Sequence, residues 1–125
     1  MPNDELLNIL EAFRVAYNEV DIAGLEGLVA EDLHWEHHNR FKGHGRASFV
    51  QSVRDFADKT PGRYFAEPVR FAVNDQTVYI EHTWHATPAH SDPAWGWEKG
   101  VPTSMDTCSV FVVIDGLIAE FSDYG

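Results

Sequence analysis

The sequence predicts an α+β fold: three N-terminal helices packed on a strongly curved, mostly antiparallel sheet. Three observations predict it. Apolar residues recur at helical spacing in the first half, the pattern changes to strict alternation beyond Pro68, and Asp115-Gly116 is a two-residue turn signal between two strand-like runs.

Each element follows from its own residues. In NDELLNILEAFRVAYNEVD, Leu6, Ile9 or Leu10, Phe13, Ala16 or Tyr17, and Val20 form one apolar stripe. Asn3 is the expected cap, and Asp4 and Glu5 suit the positive end of the helix. Asp21 is expected to cap a shorter second helix carrying Leu25, Leu28 and Val29, although Gly24 and Gly27 weaken it. A third helix is expected over about 47–58, with Phe49, Val50, Val53, Phe56 and Ala57 inward. VRFAVND, TVYIEHTWHA and the end of MDTCSVFVV alternate like strands, and LIAEFSDY returns antiparallel to CSVFVVI. Pro68 belongs near an edge or bulge, because it has no N–H for the ladder. TPAHSDPAWGWEKGVPTS is rich in turn formers and reads as a long loop. Helices covering one sheet face leave a curved sheet to enclose a pocket.

Composition narrows the function classes. The 125 residues are expected to form one domain, 1–125, large enough to bury a core without staples. A lone cysteine, Cys108, rules out an internal disulfide and a cysteine-rich metal framework. A net charge of -11, with lysines and arginines scattered, argues against a nucleic-acid partner. No apolar run is long enough to span a membrane, and Asp4 and Glu5 stand where a secretory leader would be basic, so a soluble, cytoplasmic protein is expected. Four tryptophans and eight phenylalanines suggest an aromatic interior that lines a site for a small hydrophobic molecule.

The local phrases resemble the SnoaL-like branch of the nuclear-transport-factor-2-like (NTF2-like), cone-shaped fold. AYNEVDIAGLEGLVAEDLHWE is similar to its two-helix opening and first strand, FKGHGRASFVQSVRDF to its glycine turn and third helix, and YIEHTWHA with GVPTSMDTCSVFVVIDGLIAEFSDYG to its closing strands. The ending resembles polyketide cyclases and limonene-epoxide-hydrolase-like proteins, whose pocket aspartate on the last strand corresponds to Asp123. Those hydrolases carry an arginine and an aspartate two residues apart on a central strand, where this chain has His82 and Trp84. In steroid isomerases of the same fold, the first-strand aspartate, helix-one tyrosine and second acid correspond to His37, Phe13 and Cys108. His82 and Trp84 thus replace the hydrolases' charged pair, and none of the three steroid-isomerase groups is retained. The resemblance also implies a homodimer formed through the convex sheet face.

Strand alternation then sorts the polar residues. In HWEHHNRF, Trp35 and His37 share the inward set with Leu33, while His34, Glu36 and His38 lie opposite. His82 and Trp84 fall inward with Val78, Ile80 and Ala86. On the last two strands Asp106, Cys108 and Val110 form one set, and Ala119, Phe121 and Asp123 another. Asp123, His82 and His37 are therefore the catalytic candidates: a carboxylate fixes an imidazole tautomer and raises its basicity, leaving the other ring nitrogen to exchange a proton. All three are expected to reach one cavity. Trp35, Trp84, Cys108, Phe121, Phe13 and Tyr17 are the substrate-binding candidates. Trp95 and Trp97 form a lid, a dimer contact, or a loop folded back on its own core.

No metal or cofactor is expected. His34, Glu36 and His38 have an H-x-E-x-H spacing, but alternate strand residues stand roughly 7 Å apart, wide for one ion. GHG is too short for a phosphate loop. Two functions remain open. One is an enzyme doing cofactor-free acid–base chemistry on a hydrophobic, oxygenated substrate, of cyclase, isomerase, dehydratase or hydrolase type. The other is a noncatalytic ligand-binding or structural dimer. An open pocket on the order of several hundred Å³ with convergent donors favours the first. A sealed core joining His82 to Asp123 favours the second.

Overall fold

A computed structural model describes residues 1–125. The chain runs α1 (Asn3–Glu19), α2 (Ile22–Leu28), β1 (Val29–His37), β2 (Phe41–His44), α3 (Arg46–Lys59), β3 (Tyr64–Phe65), β4 (Arg70–Asn74), β5 (Thr77–Ala86), β6 (Thr103–Ile114) and β7 (Leu117–Tyr124). One seven-stranded sheet has the order β2-β1-β7-β6-β5-β3, and β4 also pairs with β5. Only β1 and β7 run parallel; every other pair is antiparallel. The α+β architecture is thus the expected one, with two short strands, β2 and β3, that periodicity does not reveal. No helix is long and apolar enough to cross a membrane.

The helix ends show which local forces win. Pro2, not Asn3, is the cap of α1; its carbonyl accepts from Glu5 N and Leu6 N at 3.1 and 3.2 Å. The extended φ and ψ of Pro2, -60° and 147°, already suit a capping residue, so helix begins at Asn3. Asp21 caps α2 as expected, its Oδ1 accepting from Gly24 N at 3.0 Å. A Cβ on residue 24 would come within 2.5 Å of Asp21 Oδ2, so Gly24 makes room for the cap. Val29 is not part of α2. It is extended, at φ -113° and ψ 148°, and opens β1 opposite Ile118 of β7; its branched side chain suits the pleat.

The helices cover one sheet face. Leu6, Leu10, Phe13 and Ala16 of α1, Leu25 of α2, and Phe49, Val50 and Val53 of α3 pack against Val29, Leu33, Val78, Ile80, Phe111, Val113, Ile118 and Phe121. Each such large side chain contributes about 1.5–3 kcal/mol when fully buried. A second cluster, Phe65, Trp84, Ala86 and Trp97, lies beside it. Trp97 belongs to the long loop after β5, which folds back on the domain: Ala89 N reaches Lys59 O at 2.8 Å, and Asp92 bridges Trp97. Pro68 lies between β3 and β4, both on the outer side of β5. The pairing of β6 with β7 shifts by one residue between Val112 and Val113, where Ala119 is left over. Such a bulge bends its strand and resets the register beyond it.

Candidate functional site

A cavity of about 80 Å³ lies between the C-terminal end of α1, the body of α3, strands β1, β5, β6 and β7, and the folded-back loop. Water-sized groups can be centred anywhere in that volume, so the space admits several waters or one compact group. Its lining is mostly aromatic, and all four tryptophans take part. Trp84, Trp97 and Trp95 stack in series, with centroids 5.9 and 5.1 Å apart, and the Arg40 guanidinium covers Trp95 at 4.1 Å. The loop therefore closes over its own domain, as one of the expected readings had it. Trp35 lies flat on β2 because Gly43 has no side chain; a Cβ there would overlap the indole. Its Nε1 donates to Ser48 Oγ at 2.9 Å, which ties β1 to α3.

Polar groups enter this apolar wall at a few points. Parallel pairing sets His37 beside Asp123, and both line the cavity. Burial pushes the Asp123 carboxyl up to about 7, against a hydrogen bond from Ser109 that lowers it. Burial holds His37 below the ordinary imidazole range, and its Nδ1 is enclosed without a partner. Tyr17 lines the cavity from α1, and its hydroxyl oxygen accepts from Trp84 Nε1 at 3.1 Å. Burial raises the Tyr17 phenol, while the Arg63 guanidinium, centred 4.0 Å over the ring, works to lower it. Arg63 is itself 1 % exposed and donates to the Tyr17 carbonyl at 2.6 Å, leaving Nε and Nη2 unpartnered.

This arrangement sits within a recognisable sequence family: the family model for the SnoaL-like domain matches residues 10–121. The chain belongs to the SnoaL-like domain family. No curated protein matches it. Among solved structures, a candidate polyketide cyclase from Xanthomonas campestris pv. campestris is similar at TM-score 0.85 and 21% identity, over 98% of this chain and 90% of that one. An LEH-like epoxide hydrolase from Mycobacterium tuberculosis is similar at TM-score 0.78 and 21% identity, over 98% and 84%. An NTF2-like protein of unknown function from Burkholderia pseudomallei follows at 0.79 and 16%, over 95% and 88%. These likenesses establish the NTF2-like fold.

In this SnoaL-like chain, Asp123, His37, Trp35, Trp84, Phe121 and Tyr17 line the one cavity, whereas three other expected residues lie elsewhere. Phe13 packs behind the site, edge-on to Phe111 and tilted against Phe121, both at 5.3 Å. Cys108 faces the opposite side of β6: Thr107, Ser109, Phe111 and Val113 are its buried set. The bulge at Ala119 is the reason. Unbroken pairing from the Asp115-Gly116 turn would set Cys108 opposite Asp123; the one-residue shift sets Ser109 there instead.

His82 is buried as expected but does not share the cavity. It lines a second one, of about 620 Å³, between α1 and β3 to β5. Phe65 of β3 contributes to both walls and stacks on the His82 ring at 4.1 Å and 8°. His82 still reaches Asp123, through Ser109: Nε2 lies 2.7 Å from Ser109 Oγ, and Ser109 donates to Asp123 Oδ1. Burial, with the charge of Arg14, lowers His82 to about 4. His34, Glu36 and His38 diverge: the two histidines lie on the outer face, while Glu36 also reaches the wall of the first cavity. His34 stacks on His44 at 4.3 Å, Glu36 meets Ser122, and His38 tilts against Tyr124.

Proposed function

We propose that the SnoaL-like pocket performs cofactor-free acid–base chemistry on a small, hydrophobic, oxygenated substrate, with Asp123 as the base. The observation that carries this reading is geometric: the half-buried Asp123 carboxyl is set in an aromatic wall, beside two groups able to donate a hydrogen bond, and desolvation there raises it to about 7. A base poised near neutrality is ionised often enough to act and basic enough to take a proton. Tyr17, whose oxygen already accepts from Trp84, keeps its own proton to offer a developing oxyanion. The cation stacked on its ring favours negative charge there. His37, neutral and with an unpartnered Nδ1, is the second hydrogen-bonding group. Among the reaction types open to this fold, abstraction of a carbon-bound proton with enolate stabilisation suits these roles best. Cyclisation and isomerisation both begin with it. The likeness to a candidate polyketide cyclase points the same way.

The test does not require the natural substrate. Incubation in D₂O with a panel of compact ketones and 1,3-diketones, followed by mass spectrometry, reports carbon-proton exchange directly. Wild type should catalyse exchange in at least one member, and Asp123→Asn should lower it by ~10²-fold or more while the fold persists. Exchange that survives this substitution would overturn the assignment. A second reading, a noncatalytic binding protein, is favoured by the small free volume of about 80 Å³. It predicts saturable ligand binding with no exchange by either protein.

A further inference from the structure

We infer that Ser109 and His82 are positioning residues for Asp123: a fixed hydrogen-bond relay across β5, β6 and β7 aims the carboxylate and keeps it ready to accept a proton. The catalytic meaning of this relay rests on the reading of Asp123 as the base; its existence does not. The chain of contacts is His82 Nε2 to Ser109 Oγ at 2.7 Å, then Ser109 Oγ to Asp123 Oδ1. Ser109 stands directly opposite Asp123 in the β6–β7 register, and His82 lies on β5 one diagonal step away. Neither relay partner is mobile at the surface: Ser109 is 0% exposed and His82 6%.

Proton counting fixes the direction. An ionised Asp123 carries no hydrogen, so the single hydroxyl proton of Ser109 must be donated to it. Ser109 Oγ is then free to accept, and the group at 2.7 Å must be the donor. His82 therefore holds its proton on Nε2, and Nδ1 is bare. That nitrogen is the one left buried without a partner. Neutral imidazole is the form required, and His82 is held neutral by burial and by Arg14. Phe65, stacked on the ring, fixes its plane. A serine alone would rotate among acceptors; the imidazole behind it leaves one useful orientation.

The charged and titratable neighbours do not supply an alternative. Asp123 shares its cavity with His37 and Glu36 from β1, and with Tyr17 from α1, whose ring has Arg63 behind it. Cys108 senses it from the other side of β6. His82 is faced by Arg14 of α1, itself engaged by Glu11, with Glu67 and Arg70 on the rim of the second cavity. No lysine or arginine forms a salt bridge with Asp123, so the relay is its one specific hydrogen-bond donor.

The test reads ionisation and tautomer, not turnover. Carboxyl carbon NMR of labelled protein follows the Asp123 titration, and imidazole nitrogen shifts report which His82 nitrogen is protonated. Above pH 7.5 or so, wild type should show His82 as the neutral Nε2–H tautomer. Ser109→Ala should raise the Asp123 midpoint on the order of one pH unit. His82→Phe, which keeps a ring against Phe65, should raise it in the same direction. His82→Gln, whose amide can still donate to Ser109, should restore much of the wild-type value. An unchanged midpoint in Ser109→Ala, or His82 protonated on Nδ1, would overturn the relay while leaving Asp123 as base untouched. Conversely, exchange surviving in Asp123→Asn would remove the base and leave these spectra as they are. If His82→Phe does not fold, the smaller Ser109→Ala change and the wild-type tautomer decide the matter alone.

Discussion

Asp123 and the buried histidines bind protons with opposite consequences for stability. An ordinary aspartate titrates near 3.8, and Asp123 is held at about 7 when folded. Between those values the folded protein keeps a proton that the unfolded chain releases, so stability falls as pH rises toward 7 and levels off above it. His82 works the other way. Its ordinary value of 6.5 drops to about 4, so the unfolded chain takes up a proton first, and stability falls as pH drops from about 6.5 to 4. His37 is shifted in the same direction as His82. The two slopes oppose each other over much of this window, and wild type should show a shallow profile. Asp123→Asn should leave only the histidine slope and lose stability toward acid. His82→Phe should unmask the Asp123 slope and gain stability toward acid, each arm on the order of 1–3 kcal/mol. Urea midpoints from pH 4 to 8 check this; parallel profiles in all three proteins would contradict it.

At the scale of elements, α2 shows a helix whose weak propensity serves its cap. Gly24→Ala in a helix usually stabilises by up to about 1 kcal/mol. Here the new methyl group meets the carboxylate of Asp21, which holds Gly24 N at 3.0 Å. Asp21→Ala alone should cost about 1 kcal/mol. Gly24→Ala should be neutral or destabilising in wild type and stabilising in the Asp21→Ala background. A double-mutant cycle by denaturant titration detects that reversal, and additive effects would refute it. The same contrast between regular and local geometry decides what is legible in the sequence. Helical periodicity exposes α1 and α3, and alternation exposes the inward set of β5, because both signals repeat over many residues. The face of β6 is different. Either alternate set of TSMDTCSVFVVI carries apolar residues, and one leftover residue, Ala119, decides that Ser109 rather than Cys108 meets Asp123. A two-residue strand has no period, so β3 is invisible in the sequence, and with it Phe65, the partition that parts His82 from Asp123. Arg63 gives no signal either, since its burial depends on the return of α1 beneath it.

For the whole molecule, the question is what covers the outer sheet face. Tyr79 is 40% exposed there, paired across β5 and β6 with Val110, and Val112 lies next along the strand. An antiparallel sheet with a solvated outer face normally alternates to polar residues. Homodimerisation through this face is therefore predicted, with the acidic residues spread around its rim. Sedimentation equilibrium at micromolar concentration should give twice the 14.1 kDa chain mass, and Val112→Lys should give the single mass. A wild-type monomer would defeat the prediction. The tryptophan stack has a consequence of a different kind. The chain has four indoles, every one of them on the wall of a single cavity, and three are in series within van der Waals reach of one another. Its tryptophan emission and the indole bands of its near-ultraviolet circular dichroism therefore originate at the pocket, undiluted by indoles elsewhere. A guest that parts Trp97 from Trp84 or from Trp95, or lifts Trp95 from Arg40, announces itself optically, so the protein comes with its own built-in gauge of occupancy before any label or substrate is in hand.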